Sequence, residues 1–225
     1  MERLRPASVA GFVLVGGRSS RMGRDKALMG YGDHTLVEHI ANIVERACGS
    51  VVLVGCPERY RALPYPAIED VLAEQGPLGG IQAALSASNS EWNLVVACDM
   101  PMVTFELLEV LLDAAGQCAG DCIVPVSPGG RLQPLCALYR RRCLGTVSTL
   151  LGRGVRKMRE AIPQLSAVLL PTPSATPFRN LNTPQEWSAH GTVSPEPLRT
   201  ELAFSPGTAR KPVKPHDKHS DKIVS

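Results

Sequence analysis

Apolar residues fall along the chain in short blocks of two periods. Residues 9–15 (VAGFVLV) form a brief, nearly unbroken apolar run bounded by glycine, the pattern of a strand buried on both faces. Residues 50–55 (SVVLVG) and 93–101 (NLVVACDMP) repeat it, and 121–127, 133–139 and 166–171 are further strand candidates. Between these runs the period lengthens. Thr35 and Glu38 stand three apart, as a capping box requires, and Leu36, Ile40, Ile43 and Ala47 then share one helical face. Thr104 opens a second helix over FELLEVLLDAAG, residues 141–151 read as a third, and Pro184 sits at a helix start in NTPQEW. Residues 77–88 read as a loop entering a helix. Strands alternating with helices at these intervals predict an α/β fold: a doubly wound, mainly parallel sheet with helices on both faces.

That alternation stops near Ser188. The last stretch, 188–225, holds five prolines, six Lys or Arg against four Asp or Glu, and few large apolar residues. Such a segment buries too little surface to offset its ordering entropy, so it is read as a disordered tail after a domain spanning 1–187. Removing it leaves 18 basic against 17 acidic side chains, a nearly neutral domain that lacks the broad basic face of a nucleic-acid binder. No apolar run is long enough for a membrane span. The first apolar stretch passes into a Gly/Arg loop rather than a cleavage site, against a signal peptide. Seven cysteines, without regular spacing and mostly in apolar surroundings (Cys56, Cys98, Cys136), read as reduced core thiols of a cytoplasmic protein. Cys118 and Cys122 lack the second matching pair of a zinc site.

In a sheet of this kind ligands gather at the carboxyl ends of the strands. The polar clusters of the sequence lie there. After the first strand come Gly16, Gly17, Arg18, Arg21, Gly23, Arg24 and Lys26, in which glycines free the backbone to turn its N–H groups toward an anion and the cations balance its charge. The spacing matches neither GxxxxGK[ST] nor GxGxxG. Asp99 ends the third strand and either binds a metal or caps the following turn. The GPLGG segment, 76–80, is either a rigid turn or a backbone edge open to a base. Asn180 and Asn182 are turn formers or amide ligands. No Ser/His/Asp nucleophile set is readable, and His34 and His39 belong to a helix start and its flank.

The series LVGGRSSRMGRDKALM (14–29), EDVLAEQGPLGGI (69–81), VVACDMP (95–101), RLQPLCALY (131–139) and FRNLNTPQEW (178–187) resembles the nucleotidyltransferases of the molybdenum cofactor guanylyltransferase type, in that family's order and up to residue 187. Val15 stands where the family usually has alanine. The resemblance implies a Rossmann-like nucleotidyltransferase fold that transfers GMP from GTP to the terminal phosphate of molybdopterin, with Mg²⁺ as cofactor. It implies a nucleotide site of Leu14, Val15, Gly16, Gly17, Lys26, Gly55, Asp70, Pro77, Leu78, Gly80 and Asp99. Lys26, Arg21 and Asp99 would serve the chemistry, with Asp99 on the metal. Asn180, Asn182, Arg131 and Gln133 would line the acceptor side, and partners would extend to apo-enzymes or chaperones that receive the cofactor. Two alternatives stay open: a cytidylyltransferase on the same pterin, and a non-catalytic subunit that delivers cofactor. Sugar-phosphate and isoprenoid enzymes fit less well, because they usually carry proline before the loop lysine, where this chain has Asp25.

Overall fold

The computed structural model describes residues 6, 8–15, 25–70 and 75–180. Its sheet is built from β1 (Val9–Leu14), β4 (Val51–Gly55), β5 (Ala67–Glu69), β6 (Trp92–Ala97), β7 (Cys122–Ser127), β9 (Cys136–Arg140) and β10 (Ala167–Pro171). They lie in the order β10-β7-β9-β6-β1-β4-β5, with the two-residue β8 (Arg131–Leu132) paired to β7. β6, β1, β4 and β5 run parallel, as do β7 and β10, while β9 runs antiparallel to both β6 and β7. The sheet is mainly parallel, as the sequence predicts, with β9 inserted in reverse and the short β8 also antiparallel to β7.

Alternation along each strand sorts the core into two layers. Val13, Leu53, Leu94, Val96 and Leu138 face one layer, closed by α1 (Leu36–Cys48) and α4 (Phe105–Ala115). Phe12, Val54, Val95 and Tyr139 face the other, closed by α3 (Pro77–Ala87), α5 (Cys143–Gly152) and α6 (Met158–Ala161). Helices therefore cover both faces of the sheet, the condition for strands to be apolar throughout.

Local chemistry sets the helix bounds. Thr35 accepts from the Glu38 N–H while Glu38 accepts from the Thr35 N–H and hydroxyl, so the capping box is present. α1 ends at Gly49, whose φ of 77° closes the helix in the left-handed region. The buried face of α1 is Leu36, Val37, Ile40, Ala41, Val44 and Ala47, whereas Ile43 is only half-buried: the apolar stripe is wider than expected and lies to one side of it.

Other differences are local. GPLGG is a helix start rather than a loop, because Pro77 fixes the first-turn φ and Gly76 takes φ 68° just before it. β6 stops at Ala97, so Asp99 lies in the turn beyond the strand. The 133–139 run splits, with β9 starting at Cys136. Cys56 is exposed rather than buried, since it precedes Pro57 at the entry to α2 (Pro57–Tyr60). The hairpin β2 (Gly30–Tyr31) and β3 (His34–Thr35), and also α2, β5, β8 and α6, are too short for a periodic signal. The predicted 182–187 helix and the 188–225 tail lie outside the described residues.

Candidate active site

From β1 the chain passes through α1 to β4 and on to β5, then returns through α3 to β6 on the other flank of β1. That reversal makes the carboxyl ends of β1 and β6 the switch point of the sheet, where a crevice opens. The strand ends are stitched together there. Cys98 N–H donates to the Leu14 carbonyl at 3.1 Å, and Val15 N–H to the Val54 carbonyl at 2.9 Å. Asp70 N–H donates to the Gly55 carbonyl at 3.0 Å, which fixes the start of the segment after β5.

Gly55 owes its identity to this packing. A Cβ there would stand 2.0 Å from the Val15 carbonyl oxygen, so β1 and β4 could not close as they do. Gly80 is similar but gentler: its Cβ would meet Leu14 Cδ2 at 3.1 Å and Asp70 Oδ2 at 3.6 Å. The first turn of α3 thus lies directly against Leu14 and Asp70. Pro77 has no N–H to offer, and Leu78 is buried, so what this turn presents to the crevice is backbone.

Asp99 lies in the turn just after β6, and the charge of Lys26 reaches it. Lys26 opens a 3₁₀ turn, Lys26–Leu28, that follows the loop after β1. Burial pushes the Asp99 carboxyl above its ordinary range; a hydrogen bond with its own backbone and, after that, the Lys26 charge pull it partly back. A desolvated carboxylate held this way calls for a cation. Among the described residues no group of three or more His, Cys, Asp or Glu could hold a metal by itself. A cation here would therefore share its coordination between Asp99 and ligand oxygens, the habit of metal ions bound with phosphates. The turn beyond Asp99 is anchored by His39, whose Nε2 pairs with the Pro101 carbonyl at 3.0 Å. A carbonyl only accepts, so Nε2 carries the proton, and burial holds the His39 pKa below its ordinary value.

The remaining candidates divide. Asn180 is half-buried two residues beyond Phe178, which is buried in the same core layer as Val15 and Cys98. Arg131 is exposed on β8. Gln133 departs from the acceptor-side expectation. It is buried, and its Nε2 donates to Ser127 Oγ at 3.0 Å while Ser127 Oγ donates to the Arg131 carbonyl at 3.2 Å. Its amide thus braces the β7–β8 hairpin through Ser127. Arg21, Gly16, Gly17 and Asn182 lie outside the described residues. Sequence reading missed His39 as an anchor of the Asp99 turn and Tyr60 as a neighbour of the loop lysine. Neither lies within any local motif, and only the packing of α1 and α2 brings them in.

No nucleophile competes with this arrangement among the described thiols in the core. Burial pushes Cys98 well above its ordinary pKa, and Cys136 and Cys143 up to about 12, so they remain neutral. The described residues place a backbone edge, a lysine and a carboxyl at the carboxyl end of a mainly parallel sheet, and this fits a class: an α/β transferase that handles nucleotides.

The chain belongs to the MobA-like NTP transferase domain family, whose model matches residues 11–168. A probable molybdenum cofactor guanylyltransferase of Mycobacterium tuberculosis is 37% identical over 192 residues, covering 81% of this chain and 94% of that protein. One from Flavobacterium johnsoniae is 30% identical over 177 residues, covering 78% and 92%. Among solved structures, molybdopterin-guanine dinucleotide biosynthesis protein A of Archaeoglobus fulgidus superposes with a TM-score of 0.69 at 25% identity, over 81% of this chain and 96% of that one. The fold alone extends to 2-C-methyl-D-erythritol 4-phosphate cytidylyltransferase of Thermus thermophilus, at TM-score 0.62 and 17% identity, covering 80% and 96%.

Proposed function

We propose that this nucleotidyltransferase moves GMP from GTP to the terminal phosphate of molybdopterin, forming the guanine dinucleotide cofactor and pyrophosphate. The observation that carries the reading is the half-buried Asp99 carboxyl in the turn after β6, beside the end of β1 and within electrostatic reach of Lys26. The named relatives support the choice of GTP and of the pterin acceptor.

The acceptor phosphate is already an anion at neutral pH, so the reaction needs no general base. An acceptor oxygen forms a bond to the α-phosphorus while the bond to the β-phosphate oxygen breaks, and pyrophosphate carries the charge away. The residues therefore bring two polyanions together and steady the charge that develops. In this reading the backbone of Leu14, Val15, Gly16 and Gly17 lines the nucleotide, Lys26 and Arg21 pair with phosphate, and Asp70, Pro77, Leu78 and Gly80 border the base. Gly55 acts by letting Val15 approach rather than by touching ligand. Asn180, Asn182 and Arg131 lie on the acceptor side, with Gln133 supporting the hairpin that carries Arg131. Asp99 is the protein's ligand for a divalent cation, Mg²⁺ in this reading. When bound, that ion neutralises the phosphates and the leaving pyrophosphate.

The seven thiols form no disulfide, which fits a reducing compartment, and we place the protein in the cytoplasm on that ground. The finished cofactor would pass to apo-enzymes or to their chaperones. No helix among the described residues is long and apolar enough to cross a membrane.

Transfer of radiolabelled GMP from α-labelled GTP to molybdopterin tests the assignment directly. The wild type should label the pterin, and Lys26→Ala should lose about 10²-fold or more in rate, as other preorganised charge groups do. Near-normal turnover by Lys26→Ala would overturn the role given to that lysine.

A further inference from the structure

We propose that Tyr60 is a positioning residue for Lys26, acting through Asp25 to fix the turn from which the lysine side chain departs. This rests on the phosphate-pairing role assigned to Lys26 above.

Asp25 is the residue that fixes this turn. Its φ is −71°, the value a proline ring would impose, but without the ring the backbone must be held by bonds. The Asp25 carboxylate supplies them in two directions. Oδ1 accepts the Ala27 N–H at 3.0 Å, which caps the 3₁₀ turn. Oδ2 accepts the Tyr60 hydroxyl at 2.8 Å, from a residue 35 positions away in α2. The carbonyl of Asp25 also accepts the Leu28 N–H at 3.2 Å, and that of Lys26 the Met29 N–H at 3.1 Å. One aspartate thus joins the local turn that bears Lys26 to the helical turn that follows β4.

Tyr60 is suited to serve as the fixed end. It is 1% exposed and sits in the core layer of α1 and β4, so its ring cannot swing. Burial and the adjacent Asp25 carboxylate push its pKa up, so the hydroxyl stays protonated and can only donate in this pair. Arg59 approaches the same carboxylate at 3.7 Å but is 61% exposed, and a screened pair of that kind holds geometry poorly. The rigid partner is the tyrosine. A nucleotide-transfer site depends on placement to within a fraction of an ångström, so a lysine on an untethered turn would lose rate before it lost fold.

A double-mutant cycle separates this role from a structural one. Tyr60→Phe removes one hydroxyl and leaves the ring packed, and its melting temperature should fall by only a few degrees. Its kcat for pyrophosphate release from GTP and molybdopterin should drop about tenfold, with KM for GTP changed less than about twofold. In the Lys26→Ala background the same change should have no further effect on kcat, since a residue that acts through Lys26 has nothing left to position. If turnover in that background is too slow to compare, the cycle is read instead in calorimetric binding of inorganic tripolyphosphate, where the same non-additivity is expected. Additive losses, or an unchanged kcat in Tyr60→Phe, would overturn the proposal. Full activity in Lys26→Ala alone would instead remove the underlying role of the lysine, an outcome distinct from either.

Discussion

Asp99 carries a conflict that a single substitution exposes. Burial raises its carboxyl pKa, and a backbone hydrogen bond and Lys26 together offset only part of that rise. Unfolded, the group ionises in the ordinary carboxylate range; folded, it resists doing so. Stability is therefore lost as pH rises from that range through the raised folded value, and at neutral pH the free protein bears the cost of an ionised buried group. Asp99→Asn should melt at a higher temperature than the wild type at pH 7 without nucleotide or metal. The advantage should vanish under acid conditions, where Asp99 is protonated in both states. The same variant should lose about 10²-fold or more in turnover, because the amide cannot replace a carboxylate on the cation. Scanning calorimetry at two pH values beside a rate measurement checks both halves, and a variant no more stable at pH 7 would count against this account of Asp99.

Elements hold the site through contacts whose sequence signals differ greatly in strength. At Gly55, alanine would push Cβ into the Val15 carbonyl, so Gly55→Ala should destabilise by about 2 kcal/mol or more and weaken GTP binding as β1 and β4 separate. Chemical denaturation and nucleotide titration read the two effects. His39 ties α1 to the turn after Asp99, and its pKa is held down by burial. Its contribution is complete above the ordinary histidine value and is lost as pH falls through that value toward the lowered one. The melting advantage of wild type over His39→Phe should thus shrink between neutrality and about pH 5; an advantage that stays constant would contradict it. The core strands and capped helices were legible because each carries a full period and a cap, as Thr35 and Glu38 do for α1. α2, β5 and the β2–β3 hairpin were not, since two to four residues carry no period. Tyr60 and His39 entered the site unannounced for a different reason: their partners are set by packing between elements, which no local spacing encodes. The family resemblance assigns Gln133 to the acceptor side; here its amide bonds Ser127 within its own hairpin.

For the whole molecule, strand order decides where chemistry can occur. Because β1 lies between β4 and β6, the carboxyl ends of the first and third predicted strands lie side by side. That arrangement was readable from the alternation of strands and helices, together with the position of each polar cluster at a strand end. The reversed strand β9 was not, for an antiparallel insertion leaves the apolar runs unchanged. The domain read from composition ends near residue 187, so a chain truncated there should melt within about two degrees of the full one and turn over GTP at the same rate. A large loss of either would assign the tail a role. The central claim, guanylyl transfer to a pterin phosphate, is tested most directly by pyrophosphate release with Mg²⁺ and molybdopterin, comparing GTP, CTP and ATP at equal concentration. Release should depend on the pterin and strongly favour GTP. Preference for CTP, or no release by folded protein that still binds GTP, would contradict it.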